Sequence, residues 1–126
     1  MKGILSLWLP PLAWAGVIFG LSSWSGPEEP PRFWFPGLDK IVHAALFAVL
    51  AALLFRALAG GGKMRAALLA AVITALYGAT DEWHQSFNAS RSVEMLDFIA
   101  DSIGGLIGAF AGFRLSARWP FFGKQS

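Results

Sequence analysis

Cysteine is absent from the chain, so a disulfide framework, a thiolate metal site and a thiol nucleophile are all excluded. Charge is the second scarcity: Asp, Glu, Lys and Arg make up 14% of the residues, against about 25% in soluble domains. With two histidines and one tyrosine, few groups can move protons near neutral pH. The formal net charge of +2 is too small to neutralise a phosphate backbone, which argues against nucleic acid as a partner. No repeat, low-complexity tract or second domain interrupts the 126 residues, so a single domain over 1–126 is expected. What is plentiful is apolar surface. The chain is 56% hydrophobic with a mean hydropathy of +0.55, a composition suited to lipid, where the outside of a bundle is as apolar as its core. Six Trp, fourteen Gly and seven Pro fit the same solvent, with Trp at interfaces and Gly and Pro tolerated inside helices.

Four long apolar runs predict an all-α, integral membrane four-helix bundle. The first, over about 4–24, is free of charge from Ile4 to Leu21, and at 1.5 Å per residue those positions span roughly 27 Å, enough to cross the hydrocarbon core. Pro10 and Pro11 are expected to bend or offset its first turns. A secretory signal is the rival reading, since Lys2 precedes the run, but the run is long for that purpose and Ser22-Ser23-Trp24-Ser25 is a weak cleavage site. Pro27, Pro30, Pro31 and Pro36 make the next segment a loop. The second helix is predicted over about 38–59, stopped by Gly60-Gly61-Gly62, the third over about 65–84, and the fourth over about 92–113 with Ser92 as N-cap and Glu94 in the first turn.

Placing the N-terminus in the cytoplasm puts seven basic residues inside (Lys2, Arg56, Lys63, Arg65, Arg114, Arg118 and Lys124) and three outside (Arg32, Lys40 and Arg91). The positive-inside bias therefore predicts that both termini are cytoplasmic. The same assignment gathers all eight acids at the extracytoplasmic half, so the polar chemistry is expected there.

Helical spacing brings these groups onto shared faces. Asp39 and His43 stack four apart, with Lys40 about a quarter turn round. Thr74, Gly78, Glu82 and Gln85 form a stripe on the third helix with Asp81 at its edge. Asp97, Asp101, Gly104, Gly108 and Gly112 fall within an arc of roughly 80° at 100° per residue. A carboxylate facing lipid costs at least ~2.5 kcal/mol at mid-membrane, so Asp101 should point into the bundle, and the glycines beside it admit close helix approach. Each group also has a purely structural reading. Asp39 and Asp97 suit the first turns of helices, where they offset the dipole; His43 suits a hydrogen-bonded packing position; Asp101 and Arg91 suit an ion pair between helix ends. The number of such groups meeting at one end of a charge-poor bundle favours a functional site.

The segments Asp39-Lys40-Ile41-Val42-His43, Tyr77-Gly78-Ala79-Thr80-Asp81-Glu82-Trp83-His84-Gln85, and Arg91 with Asp97, Asp101 and Gly104-Gly105 resemble the VanZ-like family of small bacterial membrane proteins, named from a teicoplanin (glycopeptide) resistance protein. The resemblance runs from about Leu38 to Gly108 and rests on three motifs in order. At Asp101 the family pattern has Asn, so this chain carries one more acid, which leaves the site more negative or holds a shared proton. The resemblance implies a multi-pass protein of the bacterial inner membrane and does not itself define a reaction.

The residues suggest an enzyme or enzyme-like binder acting on a membrane lipid or lipid-linked envelope precursor at the outer leaflet. In that reading His43 is the general base or acid, Asp39 or Glu82 orients its ring, and Asp101 is a second proton carrier. Lys40, Arg91 and the N-termini of helices two and four hold an anionic headgroup, with Gln85, Asp97 and Asp81 completing the binding set. A non-enzymatic accessory protein that binds a lipid, antibiotic or partner is the alternative, and a proton-coupled transporter subunit a third. No resident cofactor is expected from any metal motif. Eight acids against three bases outside leave a formal −5, however, and a divalent cation on Asp39, Glu82, Asp97 or Asp101 with His43 or His84 would offset it. The oligomeric state is left open.

Overall fold

The computed structural model describes residues 3–23, 38–85 and 95–118, with the side chains of residues 22, 23, 38, 39 and 85 outside the description. Four α-helices follow in order: α1 (Ile4–Ser23), α2 (Leu38–Leu58), α3 (Lys63–Gln85) and α4 (Met95–Leu115), with a short 3-10 turn, Ala59–Gly61, between α2 and α3. All four are long and apolar enough to cross a membrane, so the chain is an integral membrane four-helix bundle. The predicted boundaries hold within three residues; α3 starts two residues earlier, at Lys63, and α4 ends two later, at Leu115. The predicted cap at Ser92 and first-turn Glu94 lie outside the described residues, as do Trp24, the 32–35 aromatic segment and the tail beyond 118. Gly62 closes the α2–α3 turn at φ 112°, a left-handed conformation that glycine adopts without Cβ strain.

Pro10 and Pro11 do not end α1, which continues through both. Pro10 has no N–H to give to the carbonyl of Ser6, four residues earlier. That carbonyl instead accepts a hydrogen bond from Arg56 Nη1 of α2 at 2.8 Å. Arg56, counted among the inside basic residues and within the predicted second helix, is buried in the bundle, 5% exposed. Two further bonds fasten α1: Trp14 Nε1 donates to the Leu46 carbonyl at 2.9 Å, and the Tyr77 hydroxyl donates to the Ala15 carbonyl at 2.6 Å. Arg56 thus supplies at Ser6 the donor that Pro10 removes, as lipid cannot.

The core is formed by Ile18 of α1, Phe47, Leu50, Ala51, Leu54 and Phe55 of α2, Ala66 and Ala70 of α3, and Ala109 of α4. The outward faces carry exposed Leu5, Leu68, Leu76, Leu106 and Phe110, an arrangement costly in water and favourable against lipid chains.

The tightest seam joins α2 and α4. A Cβ on Gly104 would overlap the Ala44 backbone carbonyl, and one on Gly108 the Ala48 carbonyl. The two helices therefore meet backbone to backbone, as the small-xxx-small spacing predicts. Gly112 faces the Phe55 ring, with 2.9 Å from an added Cβ to Cδ1. These pairs advance together along both helices, so α2 and α4 run parallel and start at the same end of the bundle.

Candidate functional site

At the starting ends of α2 and α4, the same parallel register that pairs Ala44 with Gly104 sets His43 beside Asp101 and Lys40 beside Asp97. His43 Nδ1 and Asp101 Oδ1 are 2.9 Å apart, with side-chain exposures of 13% and 0%. Lys40 Nζ lies 2.9 Å from Asp97 Oδ1. The end of α3 packs against this pair. Its Gly78 matters because an added Cβ would stand 3.0 Å from Asp101 Cβ and 3.2 Å from its Oδ2; the missing side chain is the space that Asp101 occupies.

One turn further along α3, Asp81 and Glu82 are also buried. Single ligand-type atoms of His43, Asp81, Glu82 and Asp101 all lie within 4.8 Å of one another. Three carboxylates and one imidazole thus share a space of a few ångströms. Both Glu82 oxygens and Asp101 Oδ2 are buried with no hydrogen-bond partner. Buried carboxylates at such separation repel strongly when all are ionised, so the cluster must hold protons or a counter-cation.

A groove of about 190 Å³ adjoins the cluster between α1 and α3, lined by Phe19, Tyr77, Thr80, Asp81, Trp83 and His84. Phe19 and His84 stack across it with ring centroids 4.6 Å apart. Its volume suits a small group and is too little for a whole lipid. Asp81 belongs to both the groove and the cluster.

The expected site residues divide clearly. His43, Asp81, Glu82 and Asp101 come together, and Asp97 with Lys40 flanks them. His84, considered as a ligand, stacks on Phe19 instead. Asp39 and Gln85 lie in the terminal turns of α2 and α3, but their side chains are outside the described residues, as is Arg91 entirely. Among the described residues the group hydrogen-bonded to His43 is Asp101, whereas the spacing had offered Glu82 or Asp39, the latter's side chain lying outside the description. Sequence reasoning passed over Phe19 and Thr80, which no local pattern distinguishes from other helix positions. The Tyr77-Gly78 pair did carry a signal: the first ties α3 to α1 and the second makes room for Asp101. Between His43 and Arg56, α2 carries only apolar residues, so no polar path runs along it.

A family model, VanZ/LLP1, matches residues 4–116. The chain belongs to the VanZ/LLP1 family. The match takes in all four helices, extending past the Leu38–Gly108 region on which the resemblance rested. No curated protein and no solved structure matches the chain. As a VanZ/LLP1 membrane protein with four spans, it is placed in the cell envelope.

Proposed function

We propose that this VanZ/LLP1 protein sits in the bacterial inner membrane with both termini in the cytoplasm. Its polar end faces outward and binds a membrane lipid or lipid-linked envelope precursor. A small polar part of the headgroup enters the groove beside Tyr77, Thr80 and Asp81, while the acyl chains stay against the exposed apolar faces of α1 and α3.

The observation that carries this reading is the hydrogen-bonded His43–Asp101 pair at 2.9 Å, whose cluster shares Asp81 with an open groove between α1 and α3. Asp101 fixes the imidazole ring, and the ring's second nitrogen, Nε2, is then the atom that takes or gives a proton. No Ser or Thr hydroxyl is hydrogen-bonded to His43 among the described residues, so the group activated is a water or a hydroxyl of the substrate. The reaction is hydrolysis or group transfer at a phosphoester or acyl bond. Asp97 takes the charge of Lys40, so Lys40 alone does not hold an anionic headgroup.

The enclosure of the pair favours a second reading. Asp101 is fully buried and His43 is nearly so, as suits an accessory protein that binds a lipid, antibiotic or partner without turnover. The deciding experiment is native mass spectrometry of the protein in mild detergent, followed by turnover assays on whatever lipid is retained. His43→Gln should keep the fold and the bound lipid and lose at least 100-fold in turnover, the lower range for general base catalysis. Retention without turnover in the parent protein selects the binding reading. No retained lipid and no response to added envelope lipids would defeat both.

A further inference from the structure

We infer that His43, Asp81, Glu82 and Asp101 form a binding site for one divalent cation that joins α2, α3 and α4. The inference rests on the same cluster as the function proposed above and does not depend on a substrate. With His43 Nδ1 bonded to Asp101, an ion held through Nε2 occupies the lone pair a free imidazole would use as a base, so the acid–base role given above belongs to the ion-free state.

Geometry comes first. Metal–ligand bonds of about 2.0–2.4 Å set opposite ligands about 4.0–4.8 Å apart. Four donor atoms, none farther than 4.8 Å from another, meet the separation that ligands of a single ion require.

Satisfaction of buried polar atoms is the second, independent line. Glu82 is 8% exposed, and neither of its oxygens has a hydrogen-bond partner. Asp101 is wholly buried and uses Oδ1 on His43, leaving Oδ2 without one. Native structures rarely leave such acceptors bare. Because Lys40 is engaged by Asp97, that lysine is not the missing cation. A divalent ion would satisfy these lone pairs together and cancel two of the three negative charges.

The donor set indicates the class of ion. Three carboxylates and an imidazole match a first-row divalent metal such as Mn²⁺ or Zn²⁺, since oxygen donors suit the former and imidazole the latter. Ca²⁺ prefers six to eight oxygens and is the poorer fit. The site also has a structural consequence: it connects α3 to α2 and α4 at the polar end, where Gly78 permits close approach.

The test uses the full chain in mild detergent, stripped with EDTA and titrated with Mn²⁺ followed by electron paramagnetic resonance, then with Zn²⁺ or Ca²⁺ as competitor. One Mn²⁺ per chain, displaced by Zn²⁺ at lower concentration than by Ca²⁺, together with a raised melting temperature, is the expected result. Glu82→Gln, which keeps shape and removes charge, should weaken Mn²⁺ binding at least tenfold, with circular dichroism checking that the helices persist. If the parent protein binds no Mn²⁺ or Zn²⁺ up to millimolar concentration and its melting temperature is unchanged, the site does not exist. Unaltered affinity in a folded Glu82→Gln protein would equally overturn it. Metal binding without lipid retention removes only the proposed function, and lipid retention without metal binding removes only this site.

Discussion

The middle of the α2–α4 interface and its polar end are built from the same two parallel helices by opposite means. In the middle, Gly104 and Gly108 have no side chain to keep them from the Ala44 and Ala48 carbonyls. At the end, within the two turns that precede Ala44 and Gly104, Lys40, His43, Asp97 and Asp101 fill the same gap with polar and charged groups. The lesson is that close packing at the seam fixes where the charged groups must stand. Lipid offers no hydrophobic drive for helix association, so the backbone contact supplies the dispersion energy and the polar end rides on its register. A carboxylate that could turn outward in water is held inward here.

That contrast can be broken most severely at Gly108. Gly108→Leu places a branched side chain against the Ala48 backbone, which cannot rotate away as a side chain can. The loss should exceed the ~1–3 kcal/mol typical of overpacking, so the protein should fail to accumulate as a folded, detergent-extractable species, checked by size-exclusion profile and thermal unfolding. Survival with an unchanged melting temperature would show that α2 and α4 do not meet in this register.

A smaller effect is expected at the charged end. Lys40→Met preserves the stem and leaves the mostly buried Asp97 without its partner at 2.9 Å. The pair is 26% and 8% exposed, intermediate between surface and interior, so a destabilisation of about 1–3 kcal/mol is expected. Lys40→Arg should recover most of it, and the same loss in both variants would argue against the ion pair.

The smallest change sharpens the comparison from the lipid side. Gly16 of α1 is exposed, and an added Cβ would meet nothing within 4 Å. Gly16→Ala should raise stability by about 0.5–1 kcal/mol through helix propensity alone. A destabilising result in unfolding assays would mean that another surface covers this face.

Much of this architecture could be read from the residues in order. The spans follow from length and apolarity, and the inward face of α4 followed from the spacing of Asp97, Asp101, Gly104, Gly108 and Gly112, all of which are buried. Spacing within a helix says which residues share a face, but not which residue of another helix stands opposite. His43 therefore had three acids within plausible reach, and only the rotation and height of α4 selected Asp101. The role of Arg56 was hidden for a related reason, since its partner is a carbonyl freed by a proline 46 positions away in the chain (56 against 10).

Hydropathy is a local sum, and charge segregation along a helix is a matter of position alone, so the sequence by itself determined that four apolar helices cross a membrane with their acids at one end. Tertiary structure decided the rest: the His43–Asp101 and Lys40–Asp97 pairs, the cluster in which Asp81 and Glu82 join His43 and Asp101, and the bond from Arg56 to Ser6 at α1's proline turn. These depend on distances between helices, which are set where Gly104 and Gly108 let two backbones touch.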